Sequence, residues 1–250
     1  MTKFRRDTAA SLEVCFFLDG ANIQTYNSNS RMNALVPKVE TKQRILDSAE
    51  RLFAEHGSEA TSLRNIIADA KVNLAAIHYH FRSKDALLEA VIVRRLEPIN
   101  QERLKLLDAC ERAAGGGRPS LEAVLEAFFA PPVRVGVDAA GGKTFRRLLG
   151  RILSDEKSLL PHTFKNHFGV VVDRFTRAFQ NAAPDLPATE LFWRMHFAAG
   201  TMAHTLLCGQ DIEVFSDGLC DTADTEATVR RLVSFAAAGF RAPIPGAKDV

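Results

Sequence analysis

The stretch Asn73 to Phe81 (Asn-Leu-Ala-Ala-Ile-His-Tyr-His-Phe) constrains the fold more than any other part of the chain. Asn73 is a strong N-cap, since its side-chain oxygen can accept from the free backbone N–H of Ala75 or Ala76, so a helix is predicted from Leu74. On a 3.6-residue wheel Leu74, Ile77 and Phe81 share an apolar face, while Ala75, Ala76, Tyr79 and His80 share the other. One face docks and the other is presented. Upstream, Ser62 to Ala70 reads as a second short amphipathic helix with Thr61 as its N-cap. Only Lys71 and Val72 separate the two. Two such helices joined by a tight turn make a helix-turn-helix, whose second helix fits a B-DNA major groove about 12 Å wide. Taken alone, Asn73 to Phe81 equally fits an ordinary core helix with a solvated outer face; the pairing of the helices favours recognition.

Spaced motifs around this stretch add to it. Thr61-Ser62-Leu63-Arg64, Ala70-Lys71-Val72-Asn73, Ala76-Ile77-His78-Tyr79-His80-Phe81 and Ser83-Lys84-Asp85-Ala86-Leu87, within about Thr41 to Val91, resemble the N-terminal domain of tetracycline-repressor-type (TetR family) transcriptional regulators. That family usually has glycine where Lys71 stands and tyrosine where His78 stands, with Tyr79 one place later in this chain. A non-glycine at position 71 has to tolerate the turn conformation, and the tyrosine's role falls to His78 or Tyr79.

The resemblance implies an all-α fold, with an N-terminal three-helix helix-turn-helix domain and a C-terminal helical ligand-binding and dimerisation domain. It implies that Thr61, Arg64, Tyr79, His80 and Lys84 mostly hold phosphates, with Ser62 and His78 also at the DNA, while Asn73, Leu74, Ala75 and Ala76 face base edges. It further implies a homodimer, joined through its last two helices, that reads an inverted-repeat operator in double-stranded DNA. Arg94-Arg95-Leu96-Glu97-Pro98, with Asn100 and Glu102-Arg103-Leu104, resembles a subgroup responsive to fatty or acyl compounds, which implies a small apolar effector. The reading is a ligand-responsive repressor; the alternative is a DNA-binding dimer whose helical domain docks a protein instead.

At 250 residues the chain can bury a sizeable core, and 46% hydrophobic with 25% charged residues is ordinary for a globular protein. The formal net charge of +2 is too small to argue for nucleic acid, so the electrostatic inference is local. From Thr61 to Lys84, Arg64, Lys71, Arg82 and Lys84 stand against Asp69, a modestly basic balance that suits a phosphate-facing surface. Cys15, Cys110, Cys208 and Cys220 lack metal-site or disulfide-framework spacing, which fits a reducing cytoplasm. No run reaches the ~18–20 apolar residues of a membrane span, and Val14 to Leu18 is shorter than an export signal needs.

Residues 1 to 38 show no sustained helical period and include a polar tract from Gln24 to Arg31, so this extension is expected to be disordered, with Met32 a candidate alternative start. The helix-turn-helix domain is predicted over 39–85 and the helical domain over 86–250. Its first helix runs from Thr41 to Gly57, and a linking helix capped by Ser83 runs to about Leu96, where Pro98 ends or kinks it. Further helices are expected over Ile99–Ala113, Ser120–Ala130 (stopped by Pro131-Pro132), Thr144–Ser154, Phe164–Ala182, Thr189–Leu207 and Thr225–Phe240.

Rival chemistries are weak. Gly141-Gly142-Lys143-Thr144 lacks the earlier glycine and the preceding strand of a P-loop. His162/His167 and His196/His204 lack the i, i+4 spacing of a helical zinc motif, and no Gly-x-Ser-x-Gly elbow is present. No enzyme activity, cofactor or metal is expected. Phe192, Trp193, Met195, Phe197, Met202, Leu206, Phe235 and Phe240 read as core, or as core divided between a ligand cavity and a close subunit contact at the small residues Ala198, Ala199, Gly200 and Ala236 to Gly239.

Overall fold

The computed structural model describes residues 29–138, 142–154 and 160–244, so residues 1–28 of the expected disordered extension, and Gly141, lie outside the described residues. The chain divides into two units, residues 1–38 and 39–250. All regular structure among the described residues is helical: α1 (Asn29–Ala60), α2 (Leu63–Ala70), α3 (Leu74–His80), α4 (Lys84–Ala113), α5 (Leu121–Asp138), α6 (Gly142–Leu153), α7 (Leu160–Ala182), α8 (Ala188–Cys208), α9 (Asp211–Phe215) and α10 (Thr225–Arg241).

The first helix starts at Asn29 rather than Thr41. No glycine stands between Asn29 and Thr41 to stop it, although Pro37 removes one ladder hydrogen bond. Gly57 acts as expected: its φ of 83° and ψ of 166° leave the helical region and set the last residues of α1 apart.

Prolines mislead elsewhere. Pro98 lies inside a helix that runs unbroken from Lys84 to Ala113, because it sits on the exposed side while Leu87, Val91, Ile92, Leu96, Ile99 and Leu107 anchor the other side on both flanks. Pro131 and Pro132 likewise lie within α5 instead of ending it. Pro132 has no N–H for the Phe128 carbonyl four residues back, and Nε of Arg103 takes that place, donating to the Phe128 carbonyl at 2.9 Å.

Among the described residues of 39–250, two apolar clusters form the core. The first joins Ile45, Ala49 and Phe53 of α1, Ile66 of α2, Ile77 of α3 and Leu87, Val91 and Ile92 of α4 to Leu148 and Ile152 of α6. The second gathers Leu125 and Phe129 of α5, Phe175 and Phe179 of α7, Leu191 of α8 and Leu232 and Phe240 of α10. Because α4 feeds both clusters and α6 reaches the first, the helix-turn-helix rests on the helical domain rather than hanging from a linker.

Candidate nucleic-acid interface

The cap of α2 is Ser62, not Thr61. Ser62 Oγ accepts from the Asn65 backbone N–H at 3.2 Å, and Asn65 Oδ1 accepts in return from the Ser62 N–H at 3.1 Å, a reciprocal capping box. Thr61 is buried, its hydroxyl lying 2.7 Å from the Gly57 carbonyl and 3.2 Å from the Leu52 carbonyl. Both are acceptors, so that hydroxyl is committed to closing the end of α1 and is not offered to a phosphate.

Lys71 ends α2 with φ 52° and ψ 49°, the left-handed conformation. A side chain there costs about 1–2 kcal/mol, and the turn is held by Arg44 of α1, whose guanidinium donates to the Ala70 carbonyl at 3.0 and 3.2 Å and to the Lys71 carbonyl at 2.8 Å. Lys71→Gly is expected to raise stability by about 1 kcal/mol, or the Tm by about 2–4 °C; a melt at or below that of the wild type would show that the turn is not strained.

Asn73 caps α3 as the sequence predicts, its Oδ1 accepting from the Ala76 N–H at 2.9 Å. Ile77 and Phe81 are buried, but Leu74, on the wheel's docking face, is 52% exposed. It belongs to the first turn, which projects past the packed part of α3, and joins Asn73, Ala75, His78 and Tyr79 on the exposed side. Ala76 and His80 are half-buried. Tyr79 is 65% exposed and meets His80 edge to face at 5.0 Å. The structure therefore brings Leu74, Ala75, His78 and Tyr79 onto one open surface and leaves Thr61 beneath it.

Charge is arranged to match. Asp69, the one acid between Thr61 and Lys84, is turned toward α1, where Ser48 Oγ donates to it at 2.5 Å and Arg51 pairs with it. The Ser48 hydroxyl, then Arg51, hold its carboxyl below the usual range. Arg64, Lys71 and Arg82 remain exposed. Lys84 is anchored: its Nζ donates to the Ser58 carbonyl at 2.9 Å, leaving two N–H groups for another acceptor.

Positioning falls to residues that the sequence did not mark for that role. Glu50 of α1 is buried and accepts from Arg94 at 2.5 Å and from Arg95 at 2.8 to 3.0 Å, with Asp47 taking a further Arg94 bond at 2.6 Å. The arginines of the motif resembling acyl-responsive regulators thus clamp α4 to the scaffold helix. Arg151 of α6 donates to the Ala54 and Glu55 carbonyls, both at 2.9 Å, tying the helical domain to the last turn of α1 before Gly57. No local pattern marks these contacts, since each joins residues far apart in the chain.

At the other end, the aromatic set divides in two. Phe240 is buried, whereas Phe192, Trp193 and Phe197 of α8 and Phe235 of α10 are exposed. Among the small residues, Ala198, Ala236 and Ala237 pack inward, while Gly200, Ala238 and Gly239 lie outside with the rings. Among the described residues no His, Cys, Asp and Glu group is placed to hold a metal, and no helix is long and apolar enough to cross a membrane.

Residues 45–91 match the family model of bacterial regulatory proteins of the tetR family, and residues 126–239 match that of the tetracyclin repressor-like C-terminal domain. The HTH-type nicotine-responsive transcriptional repressor HdnoR of Paenarthrobacter nicotinovorans is 33% identical over 76 residues, covering 30% of this chain and 39% of that protein. The probable HTH-type transcriptional regulator YttP of Bacillus subtilis is 44% identical over 55 residues, covering 22% of this chain and 27% of its own length. The match therefore spans well under half of either relative. A TetR-family transcriptional regulator from Streptomyces coelicolor, SCO4454, shares the fold over 81% of this chain and 96% of its own, with a TM-score of 0.50 and 18% identity.

Proposed function

This chain belongs to the tetracycline-repressor family of bacterial regulators, and on that premise we propose that it is a DNA-binding transcriptional regulator, a repressor that grips an inverted-repeat operator as a homodimer. The observation that carries the reading is α3: Ile77 and Phe81 fix it from beneath, and Leu74, Ala75, His78 and Tyr79 form its open side. Selection of bound sites from random double-stranded DNA tests it. An inverted repeat with half-sites about 34–36 Å apart is the expected product; no preference over bulk competitor would sink the reading.

Phosphate contacts fall to Ser62, Arg64, His80 and Lys84, with Tyr79 or His78 beside them, and base edges to Asn73, Leu74, Ala75 and Ala76. Asn73 Oδ1 is occupied by the cap, so its amide N–H groups are what it offers. Leucine and alanine have no donors, so these positions favour thymine methyls over hydrogen-bonded readout. Arg64 is exposed, and none of its charge is neutralised by a neighbour among the described residues. Arg64→Ala is expected to weaken binding and to make the slope of log affinity against log salt shallower by about 2, at ~0.9 per lost phosphate contact and two copies per dimer. An unchanged slope would remove the phosphate role.

Ligand control follows as a coupling between two arrangements of the same dimer. An effector that prefers the arrangement with the wrong half-site spacing weakens DNA binding, and DNA weakens effector binding by the same factor. Two struts can carry the change: α4, through Arg94 and Arg95 on Glu50, and α6, through Arg151 on the end of α1. Both connect the helical domain to the scaffold of the recognition helix. Such a regulator works where the chromosome is, in the cytoplasm, and no catalytic role is part of the proposal.

A further inference from the structure

Arg103 is 5% exposed and Asn100 2% exposed, so both side chains are withdrawn from water where α4, α5 and α8 meet. The guanidinium has neutral partners. Its Nε donates to the Phe128 carbonyl at 2.9 Å, one terminal nitrogen donates to Asn100 Oδ1 at 3.0 Å, and the other lies 3.4 Å from Met202 Sδ. Its carbon stands 4.6 Å from the centre of the Phe128 ring. No carboxylate among the described residues pairs with it, and burial pulls its pKa down to about 10, which still leaves it charged at pH 7. Among the described residues the other buried arginine, Arg194, has Glu190 at 3.7 Å, and the part-buried Arg94 and Arg95 pair with Glu50.

Asn100 gives the second sign. Its Oδ1 accepts from Arg103, which fixes the orientation of the amide, and its Nδ2 is buried without any acceptor. Both atoms belong to one carboxamide, so the unpaired N–H groups lie close beside the guanidinium. A buried cation without a counter-ion and a buried donor without an acceptor are each unfavourable. A single negatively charged acceptor would relieve both. The surroundings are apolar and aromatic, with Phe128, Phe129, Phe175 and Phe179 in the same cluster.

We propose that Arg103 and Asn100 form the head-group site for a small carboxylate with an apolar or aromatic body, bound between α4, α5 and α8. Closing the gap left by Pro132 accounts for Nε of Arg103 alone; the terminal nitrogens and the Asn100 amide are what the carboxylate engages. Calling that molecule the effector rests on the regulator reading, whereas its binding does not. The site has a direct line to the DNA-binding end, since Arg103 shares α4 with Arg94 and Arg95.

Asn100→Asp tests the site without knowledge of the natural ligand, because it supplies Arg103 with an internal carboxylate of the amide's own shape. In the full chain this variant is expected to melt about 2–6 °C above the wild type. Acetate, benzoate, phenylacetate and decanoate at millimolar concentration form the second arm. At least one is expected to raise the wild-type Tm by about 3 °C or more, with no shift from its matched primary amide and none in Asn100→Asp. The proposal is overturned by Asn100→Asp melting no higher than the wild type, by no acid shifting the wild type, by equal shifts from acid and amide, or by an acid shift that persists in Asn100→Asp. These melts contain no DNA. A wild type that selects no operator fails the regulator reading and leaves their outcome untouched.

Discussion

Ala75→Asp is expected to lower operator affinity by at least about 100-fold while leaving the fold as stable as the wild type or slightly more so. Ala75 is exposed at the second position of α3, directly after the cap and Leu74. A carboxylate in that first turn lies among unpaired backbone N–H groups at the positive end of the helix, an arrangement that favours an anion by about 0.3–1 kcal/mol. The same carboxylate stands on the side proposed to meet phosphates and base edges, where like-charge juxtaposition costs several kcal/mol. Each 1.4 kcal/mol is about tenfold in affinity, and the dimer carries the change twice. Stability and binding are therefore pushed in opposite directions by one substitution, so a loss of affinity cannot be blamed on unfolding. Thermal melts and fluorescence anisotropy on one preparation, at one salt concentration, measure both. Wild-type affinity in the variant would mean that the outer side of α3 never approaches the duplex.

What the sequence disclosed and what it hid follow from how far each interaction reaches. Asn73 over Ala76, and the stop at Gly57, depend on atoms within a few residues, and both stand as the pattern predicts. Thr61 and Ser62 are each good caps by local chemistry. The choice between them is made by α1, whose Gly57 and Leu52 carbonyls take up the Thr61 hydroxyl and leave Ser62 to cap α2. Pro131-Pro132 reads as a stop only while the freed Phe128 carbonyl has no donor, and the donor comes from Arg103, far off on α4. Leu74 defeats the helical wheel for a related reason: a wheel assigns a face but cannot say where the partner surface ends. Lys71 sits in the left-handed turn that the family usually gives to glycine because Arg44 holds the carbonyls around it. In each case the missing information was a contact with a distant helix, and those contacts concern the scaffold more than the exposed recognition surface.

Phe197→Glu should convert a dimer into a monomer and cut operator affinity by about 100- to 1,000-fold. Phe197 is 60% exposed on α8, stacked on Trp193 at 5.6 Å, with Phe192 on the same helix and Phe235 on α10 equally open. Gly200 and Gly239 have open space above them, so nothing at these positions keeps a second pair of helices at a distance. An apolar surface of this kind on the two helices that close the domain is what a symmetric four-helix contact requires. A glutamate at its centre would be desolvated and unpaired on both sides of the two-fold axis, a penalty of several kcal/mol at each. In the isolated chain the same side chain is solvated, so the monomer keeps its fold. Affinity falls because the second recognition helix no longer binds at the high effective concentration that the first creates, an advantage of about 10²–10⁴. Sedimentation and operator titration separate the steps. A variant that remains dimeric would move the interface away from α8. A monomer that held the inverted repeat at wild-type affinity would show that one recognition helix suffices, and symmetry would then play no part in recognition.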